Sequence, residues 1–552
     1  MTVIDIRIDC YRTLRIAPSK HSCQPLAPKV VMSEGSDKPN VEISSQSTKV
    51  TSGTDVQEKL IVAARVFSDL LKPTYGPRGL DKMLYKTDGS TAVTNDGAKI
   101  VAELLVRHPA AKMMVSMAES QEEDCGDGVT TGMLLCGSLL IEANNLFRKG
   151  LHPLTLVGGY EISLQSAVSQ IEKDASETDE EKLLAVAVTS LRGKVAESAL
   201  AVFAPLIVEA LSTVFKNRGE ALAQHVSMFK TGSGSARDSR LVNGVIIRRR
   251  VLMNDLPNDI RDAKVVCLEG DIKIRDMVRD AELKITSADD LDSFIGAERE
   301  RKQAIFHGLR ESGARVVLCS GEIDTDILHM LCDSGILAVE KLDSSELRNA
   351  SDATGSRIIE NPLDIEEADL GFCGSATWAR KESTDEVQDT IRIEDCLNPS
   401  IVTIEVGGAG EVGTEEVIRG LHDSLRATSL ALSEDVLPGA GSTHSRIAHA
   451  VRAAAESQGG RERLAMEAFA RAMETIPATL VENAGGDPLD RVLELRSTLL
   501  TEAPVGISED GKIWEVDDVW HPRSVIENSL EAATETAMGM LRIDQVISAR
   551  GE

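Results

Sequence analysis

The sequence predicts a multi-domain α/β protein in which a mostly helical part, built from both ends of the chain, carries a mixed domain inserted between them. Three observations support this. At 552 residues the chain exceeds the size at which a single hydrophobic core keeps growing. Long helical periodicities fill both flanks, whereas short apolar strands alternating with helices fill the middle third. Aromatic residues make up only 3% of a chain that is 42% hydrophobic, so the cores are built from Ala, Val, Leu and Ile, which suits helix-rich layers.

Residues 1–48 mix Ser, Pro, Lys and Asp without periodicity and read as a disordered extension, with Met32 as the more natural start. A helical pattern begins at Asp55, repeats through Leu60, Ile61, Ala64, Val66, Phe67, Leu70 and Leu71, and stops at Pro73. Further helices are expected over 98–121, 129–148, 155–173 and 196–215. Strands are expected at Val245–Ile247, Lys264–Leu268, Arg315–Cys319 and Ile336–Val339. Helices return over 448–457, 463–476, 478–484 and 489–500.

A net charge of -28 repels phosphate backbones and anionic lipid, which argues against nucleic-acid and membrane partners. The nine cysteines are scattered, odd in number and never spaced as CxxC, as expected of reduced cytoplasmic thiols. No apolar run is read as membrane-spanning, because Ala199–Val208 contains Pro205 and stops at Glu209. The N-terminus has no apolar signal core, so the expected location is the cytoplasm.

The strongest local signal is Gly126-Asp127-Gly128-Val129-Thr130-Thr131 followed by a helix-forming run. Glycines let backbone N–H groups approach phosphate oxygens, and a helix starting there points its positive end at them. Thr130 and Thr131 add hydroxyls, and Asp127 suits a Mg²⁺ ion bridging phosphates. Alone, such a run is more often a capped turn, and it lacks the lysine of a Walker loop. Two companions change the balance. Thr74-Tyr75-Gly76-Pro77-Arg78-Gly79-Leu80-Asp81-Lys82-Met83 closes the first helix, and Thr94-Asn95-Asp96-Gly97 opens another.

These three segments, in this order and spacing, closely resemble the group II chaperonins, the thermosome and TCP-1 family, and the likeness covers roughly residues 50–550. The resemblance implies a mostly helical equatorial domain (49–180 and 437–552), a small intermediate domain (181–245 and 399–436) and an α/β apical domain (246–398) with a helical protrusion at about 270–308. It implies an ATPase whose cycle closes a double ring of identical or paralogous subunits over unfolded client proteins. Thr189-Ser190-Leu191-Arg192-Gly193-Lys194 resembles the family's nucleotide-sensing loop, with Lys194 at the position that senses the terminal phosphate. Gly420-Leu421-His422-Asp423 resembles the helix that carries the water-activating aspartate. Asp127 falls on the metal position, and Asp96 and Asp423 on the catalytic ones. Thr74, Gly76, Pro77, Gly97, Gly128, Val129, Thr130, Thr131, Gly439, Ala440, Gly441 and His521 fall on positions that contact ATP. Glu482–Pro488 and Leu541–Asp544 match C-terminal signatures, and pairing of Leu541–Val546 with a neighbouring subunit would follow. Val129, Ala440 and His521 depart from the family's usual Thr, Gly and acidic residue.

Two stretches read ambiguously. Val406–Gly413 contains GxGxxG after a strand-like run and imitates a dinucleotide fingerprint, but Glu434 and Asp435 close a helix where a second strand should end. A hinge re-entering the middle domain is the better reading, and a dinucleotide-dependent oxidoreductase the worse. On the protrusion, Ser287 and Asp290 suggest a helix cap. Leu291, Phe294, Ile295, Ile305, Phe306 and Leu309 form either a client-binding stripe or plain core. A chaperonin-like structural subunit of a hetero-oligomeric ring, with weak or no ATPase, is the rival function.

Overall fold

A computed structural model describes residues 49–52, 54–85, 91–104, 108–274, 288–382, 387–408, 411–498 and 503–548. The first part runs β1 (Lys49–Ser52), α1 (Thr54–Leu71), β2 (Lys82–Tyr85), β3 (Thr91–Thr94), α2 (Gly97–Ala102), α3 (Pro109–Cys125), α4 (Val129–Phe147), α5 (Pro153–Asp174), α6 (Glu180–Leu191) and α7 (Glu197–Arg218). The middle holds β4 (Val226–Lys230), β5 (Arg240–Val242), β6 (Val245–Arg248), β7 (Asp259–Leu268), α8 (Ala288–Glu311), β8 (Ala314–Cys319), α9 (Thr325–Asp333), β9 (Leu337–Val339), α10 (Ser344–Thr354), β10 (Ile358–Ile359), β11 (Gly371–Glu382), β12 (Val387–Cys396) and β13 (Val402–Val406). The last part is α11 (Glu411–Ala431), β14 (Val436–Pro438), α12 (Ser442–Ser457), α13 (Glu462–Met473), α14 (Thr475–Asn483), α15 (Pro488–Thr498), β15 (Val505–Ile507), β16 (Ile513–Glu515), β17 (Trp520–Pro522), α16 (Arg523–Leu541) and β18 (Gln545–Ser548).

β1 and β18 pair antiparallel as a small unit of their own, Lys49 facing Ser548 and Ser52 facing Gln545. The strand thus begins at Gln545, because Leu541 still belongs to α16, and its partner here is the chain's own N-terminal segment. The features below lie in Gly53–Asp544.

α4 is apolar nearly all round and buried along its length, and α1, α3, α13 and α16 pack against it, joining both ends of the chain in one helical body. On α5, Tyr160 is fully buried edge-on to Phe469 of α13, with ring centroids 5.8 Å apart, and donates its hydroxyl to the Leu139 carbonyl at 2.7 Å. Beside this body, β13 lies parallel to β4 and antiparallel to β5. Phe203, Ile207 and Leu211 of α7 and Leu421 and Leu425 of α11 cover that sheet with Val402, Ile404 and Val406.

The largest sheet has the order β6-β12-β11-β7-β8-β9, with β10 also on β7. Alternation along β7 feeds two cores: Ala263, Val265 and Cys267 face Leu347 and Ala350, whereas Val266 and Leu268 face Leu309, Ile327 and Leu331.

The structure alters several expectations. The helix expected over 98–121 is two helices, because Pro109 occupies the first turn of α3 and restarts the chain there. α7 continues past Glu209 to Arg218 and is long and apolar enough to cross a membrane by length and composition. Phe203, Ile207, Leu211 and Val214 instead place it in the core, and Pro205 is accommodated inside the helix. The strands β11 and β12 and the helices α10 and α16 were not anticipated. Ser287 and the side chains of Asp290, Leu291 and Phe294 lie outside the described residues. Of the remaining stripe, Ile305, Phe306 and Leu309 are core and Ile295 is exposed. The 408–413 segment leads from β13 into α11, with Ala409 and Gly410 outside the described residues.

Two adjacent glycines of α5 give opposite expectations. A Cβ on Gly158 meets nothing within 4 Å, so Gly158→Ala should stabilise the fold by roughly 0.5–1 kcal/mol through helix propensity. A Cβ on Gly159 would lie 2.4 Å from the Ala465 Cβ, so Gly159→Ala should instead cost about 1–3 kcal/mol by forcing α5 from α13. Thermal unfolding midpoints that move the same way in both variants would contradict this packing.

Candidate active site

α3 ends on Gly126 and α4 begins after Gly128; both glycines are left-handed, with φ of +67° and +87°. No side chain caps the start of α4, which leaves its first N–H groups directed at the adjoining space. Between the glycines, Asp127 accepts the Gly128 N–H at 2.8 Å on one oxygen and the Ser190 hydroxyl at 3.4 Å on the other. The Gln121 amide fixes the loop by donating to the Asp127 carbonyl at 2.8 Å.

The turn after α1 and the start of α2 meet this loop. Gly76 has a φ of +82°, and the Asn483 amide holds the turn by donating to the carbonyls of Lys72 and Tyr75 at 2.9 and 2.8 Å. Thr74 turns its hydroxyl back to Leu71, and Thr131 donates to the Tyr75 hydroxyl at 3.3 Å. Asp96 caps α2 by accepting the Ala98 N–H at 2.9 Å. Gly97 follows because a Cβ there would sit 2.3 Å from the Thr130 hydroxyl.

Lys194 comes from the loop after α6. Gly193 takes a φ of +85°, and the Asn95 amide grips its carbonyl at 2.7 Å. The Lys194 stem passes over Gly420 of α11, and its ammonium donates to an Asp423 carboxylate oxygen at 2.8 Å. Burial and the neighbouring Asp96 and Asp127 push the Asp423 carboxyl up to about 6, although Lys194 opposes them. Burial acts against charging Lys194, yet Asp423, Asp127 and Asp96 outweigh it and hold the ammonium protonated. Burial is the larger influence on Asp423, and the excess of carboxylates around one ammonium pushes both groups in the same upward direction. Glu122 adds to that excess, and burial with Asp423 and Asp96 pushes it up to about 7.

The far side is built by the pairing of β14 with β17, which sets Leu437 opposite His521. A Cβ on Gly439 would lie 2.9 Å from the His521 ring, so this turn needs glycine. Ala440 is left-handed at φ +52°, a conformation that costs a non-glycine residue roughly 1–2 kcal/mol. Gly441 then opens α12, a second helix without a side-chain cap. Two N–H-bearing rings here have buried nitrogens without a hydrogen-bond partner among the described residues, His444 at Nε2 and Trp514 at Nε1.

Most of these parts line one cavity of about 480 Å³. On it the structure brings together Asp96, Asp127, Asp423, Lys194, Thr74, Gly76, Pro77, Gly97, Gly128, Val129, Thr130, Thr131, Gly439, Ala440, Gly441 and His521. Reading the sequence missed Glu122, Asn95, Ser190, His444 and Trp514. Only Asn95 and Ser190 stood inside segments already singled out. Among the described residues no cluster of three or more His, Cys, Asp or Glu is placed to hold a metal unaided. Mg²⁺ needs none, since it takes one or two carboxylates together with phosphate oxygens. Two uncapped helix starts, the carboxylate excess and the unpartnered ring nitrogens therefore fit a magnesium-bound nucleotide.

A family model described as the TCP-1/cpn60 chaperonin family matches residues 67–551. The chain is 36% identical over 531 residues to thermosome subunit alpha of Archaeoglobus fulgidus, covering 93% of this chain and 95% of that one. It is 36% identical over 513 residues to thermosome subunit alpha of Halobacterium salinarum, covering 92% and 90%. Over 514 residues it is 35% identical to the thermosome subunit of Methanocaldococcus jannaschii, covering 91% and 94%.

The raised Asp423 carboxyl has a consequence for stability. Its folded value near 6 exceeds the ordinary value near 4, so the unfolded chain releases this proton first as pH rises. The side chain therefore opposes folding progressively between about pH 4 and 6 and constantly above. The unfolding midpoint of Asp423→Asn, minus that of the unaltered chain, should rise from pH 4.5 to 7 and then level off. A difference that is flat or falling across that window would show that the carboxyl is not raised.

Proposed function

The chain belongs to the TCP-1/cpn60 chaperonin family, and from that premise we propose that it is an ATP-dependent chaperone subunit that hydrolyses ATP in the cavity described above. The observation that carries the reading is the meeting of Asp96, Asp127, Lys194 and Asp423, from four separate stretches of chain, on one cavity with two uncapped helix starts.

In this reading the α4 start, Thr130 and Thr131 hold the phosphates, with Lys194 near the terminal one. Mg²⁺ at Asp127 would neutralise phosphate oxygens and leave the terminal phosphorus open to attack. Asp96 orients a water, and Asp423 takes its proton as the water oxygen bonds to the terminal phosphorus. The bond to the bridging oxygen breaks, and ADP leaves with that electron pair. With its carboxyl near 6, Asp423 is mostly ionised at neutral pH and so able to accept a proton. Val129 removes one hydroxyl from the cradle, Ala440 replaces a glycine of the turn and His521 removes an acidic contact to the sugar, which are the departures behind the rival structural subunit with weak or no ATPase. The intact carboxylates and Lys194 oppose that rival.

The domain reading assigns the helical body to an equatorial domain (49–180 and 437–552). The three-stranded sheet with α6, α7 and α11 is the intermediate domain (181–245 and 399–436), and the large sheet is the apical domain (246–398). Supporting this, the large sheet spans Val245–Cys396 and keeps its own two cores. Asp423 sits beyond the apical segment, so its arrival at the phosphates would link hydrolysis to movement of the upper part. Thermosome relatives make a cytoplasmic double ring of identical or paralogous subunits the expected assembly, with unfolded clients as partners. Exposed Leu252, Leu363 and Leu397 on the apical segment are candidate client contacts.

Asp423→Ala in the purified assembly should lower the rate of phosphate release from MgATP at least about 100-fold while nucleotide binding persists. Release at the unaltered rate would end this assignment, and no release from the unaltered protein would favour the structural subunit.

A further inference from the structure

We infer that Arg426, through Glu122, is the positioning residue that seats Asp423 over the phosphate loop. The inference rests on the proposed ATPase reading.

Arg426 lies three residues after Asp423 on α11, one turn along the same helix, so whatever holds one fixes the other. Its guanidinium donates to a Glu122 carboxylate oxygen at 3.2 Å and to the Glu123 carbonyl at 3.1 Å, both on the last turns of α3. Its stem lies flat on the glycine that begins the phosphate loop: a Cβ on Gly126 would sit 2.3 Å from the Arg426 Cδ and 2.7 Å from Nε. Gly126 is therefore needed twice, for its left-handed backbone and for leaving room under the arginine. α11 is thus tied to the site at two points, inside the cavity by Lys194–Asp423 and at its rim by Arg426.

The two ties differ in kind. Lys194 pairs with Asp423 inside the cavity, whereas Arg426 directs its hydrogen bonds to Glu122 and Glu123 and opposes the charge of Glu122. Both members of the rim pair are about one-third exposed, so the pair adds little to overall stability. Its fork is suited to geometry: one arm reads a side chain and the other a main-chain carbonyl one residue on, which sets the reach of α11 against α3. Glu122 sits among the carboxylates of the site, and the guanidinium is the cation that opposes them there.

The test uses the full-length assembly. Arg426→Ala should lower kcat for phosphate release roughly 10- to 100-fold, the cost of a misplaced catalytic group. Affinity for fluorescent mant-ATP with Mg²⁺ should stay within about twofold, because no ATP-holding group is removed. Arg426→Lys keeps the charge without the fork and should recover only part of the rate. Glu122→Gln should fall between Arg426→Ala and the unaltered chain. Unchanged kcat in Arg426→Ala, or kcat and affinity falling together, overturns the inference. If the unaltered assembly releases no phosphate, the ATPase reading is what fails. Amide exchange over 411–431 then decides the tie: faster exchange in Arg426→Ala supports it, and identical exchange refutes it.

Discussion

The ion pair between Lys194 and Asp423 holds the site together, and it exists within a deliberate imbalance of charge. One ammonium stands among Asp96, Asp127, Asp423 and Glu122. Like charges crowded into a partly buried site are expensive, so a folded chain that keeps them together must gain elsewhere or be completed by a cation. A magnesium-bound polyphosphate would supply both signs: metal for the carboxylates, phosphate oxygens for Lys194 and the two helix starts. Carboxylates are thus crowded together where the chemistry is proposed to happen.

The rest of the architecture serves to bring those groups together. α4 is buried almost all round, which makes its N-terminus a rigid platform, and α3 delivers Asp127 to it through two left-handed glycines. Gly97 lets α2 approach Thr130 more closely than a side chain would permit, and Gly420 eases the tight passage of Lys194 over α11. The β14–β17 pair carries the Gly439–Gly441 turn and His521 to the opposite wall. Of Asp96, Asp127, Lys194 and Asp423, Asp423 is the one that follows the large sheet in the chain, and Arg426 gives that long excursion a fixed landing point on α3.

Much of this was legible in the sequence, for physical reasons that differ by residue. Gly126, Gly128 and Gly76 stand out because a turn with positive φ next to a helix leaves few alternatives. The helices α1, α4 and α5 carry strong periodicity and appear close to where expected. What stayed hidden depends on contacts distant in sequence. Glu122 reads as one more acid on a charged helix face until α11 is laid against it. His444 and Trp514 look like ordinary core candidates until their nitrogens are found without partners. β11 and β12 alternate polar and apolar residues around charged positions such as Arg380 and Asp389, whose buried pairing no local pattern announces. The split between α2 and α3 was foreseeable from Pro109, but the apolar run across it masked the break.

The most direct measurement is a cryo-electron microscopy map of the assembly trapped with MgATP or a transition-state mimic. The account predicts density for the nucleotide between the starts of α4 and α12, a metal against Asp127, and a water between Asp96 and Asp423. Nucleotide density elsewhere, or Asp423 turned away from the terminal phosphate in every subunit, would contradict it.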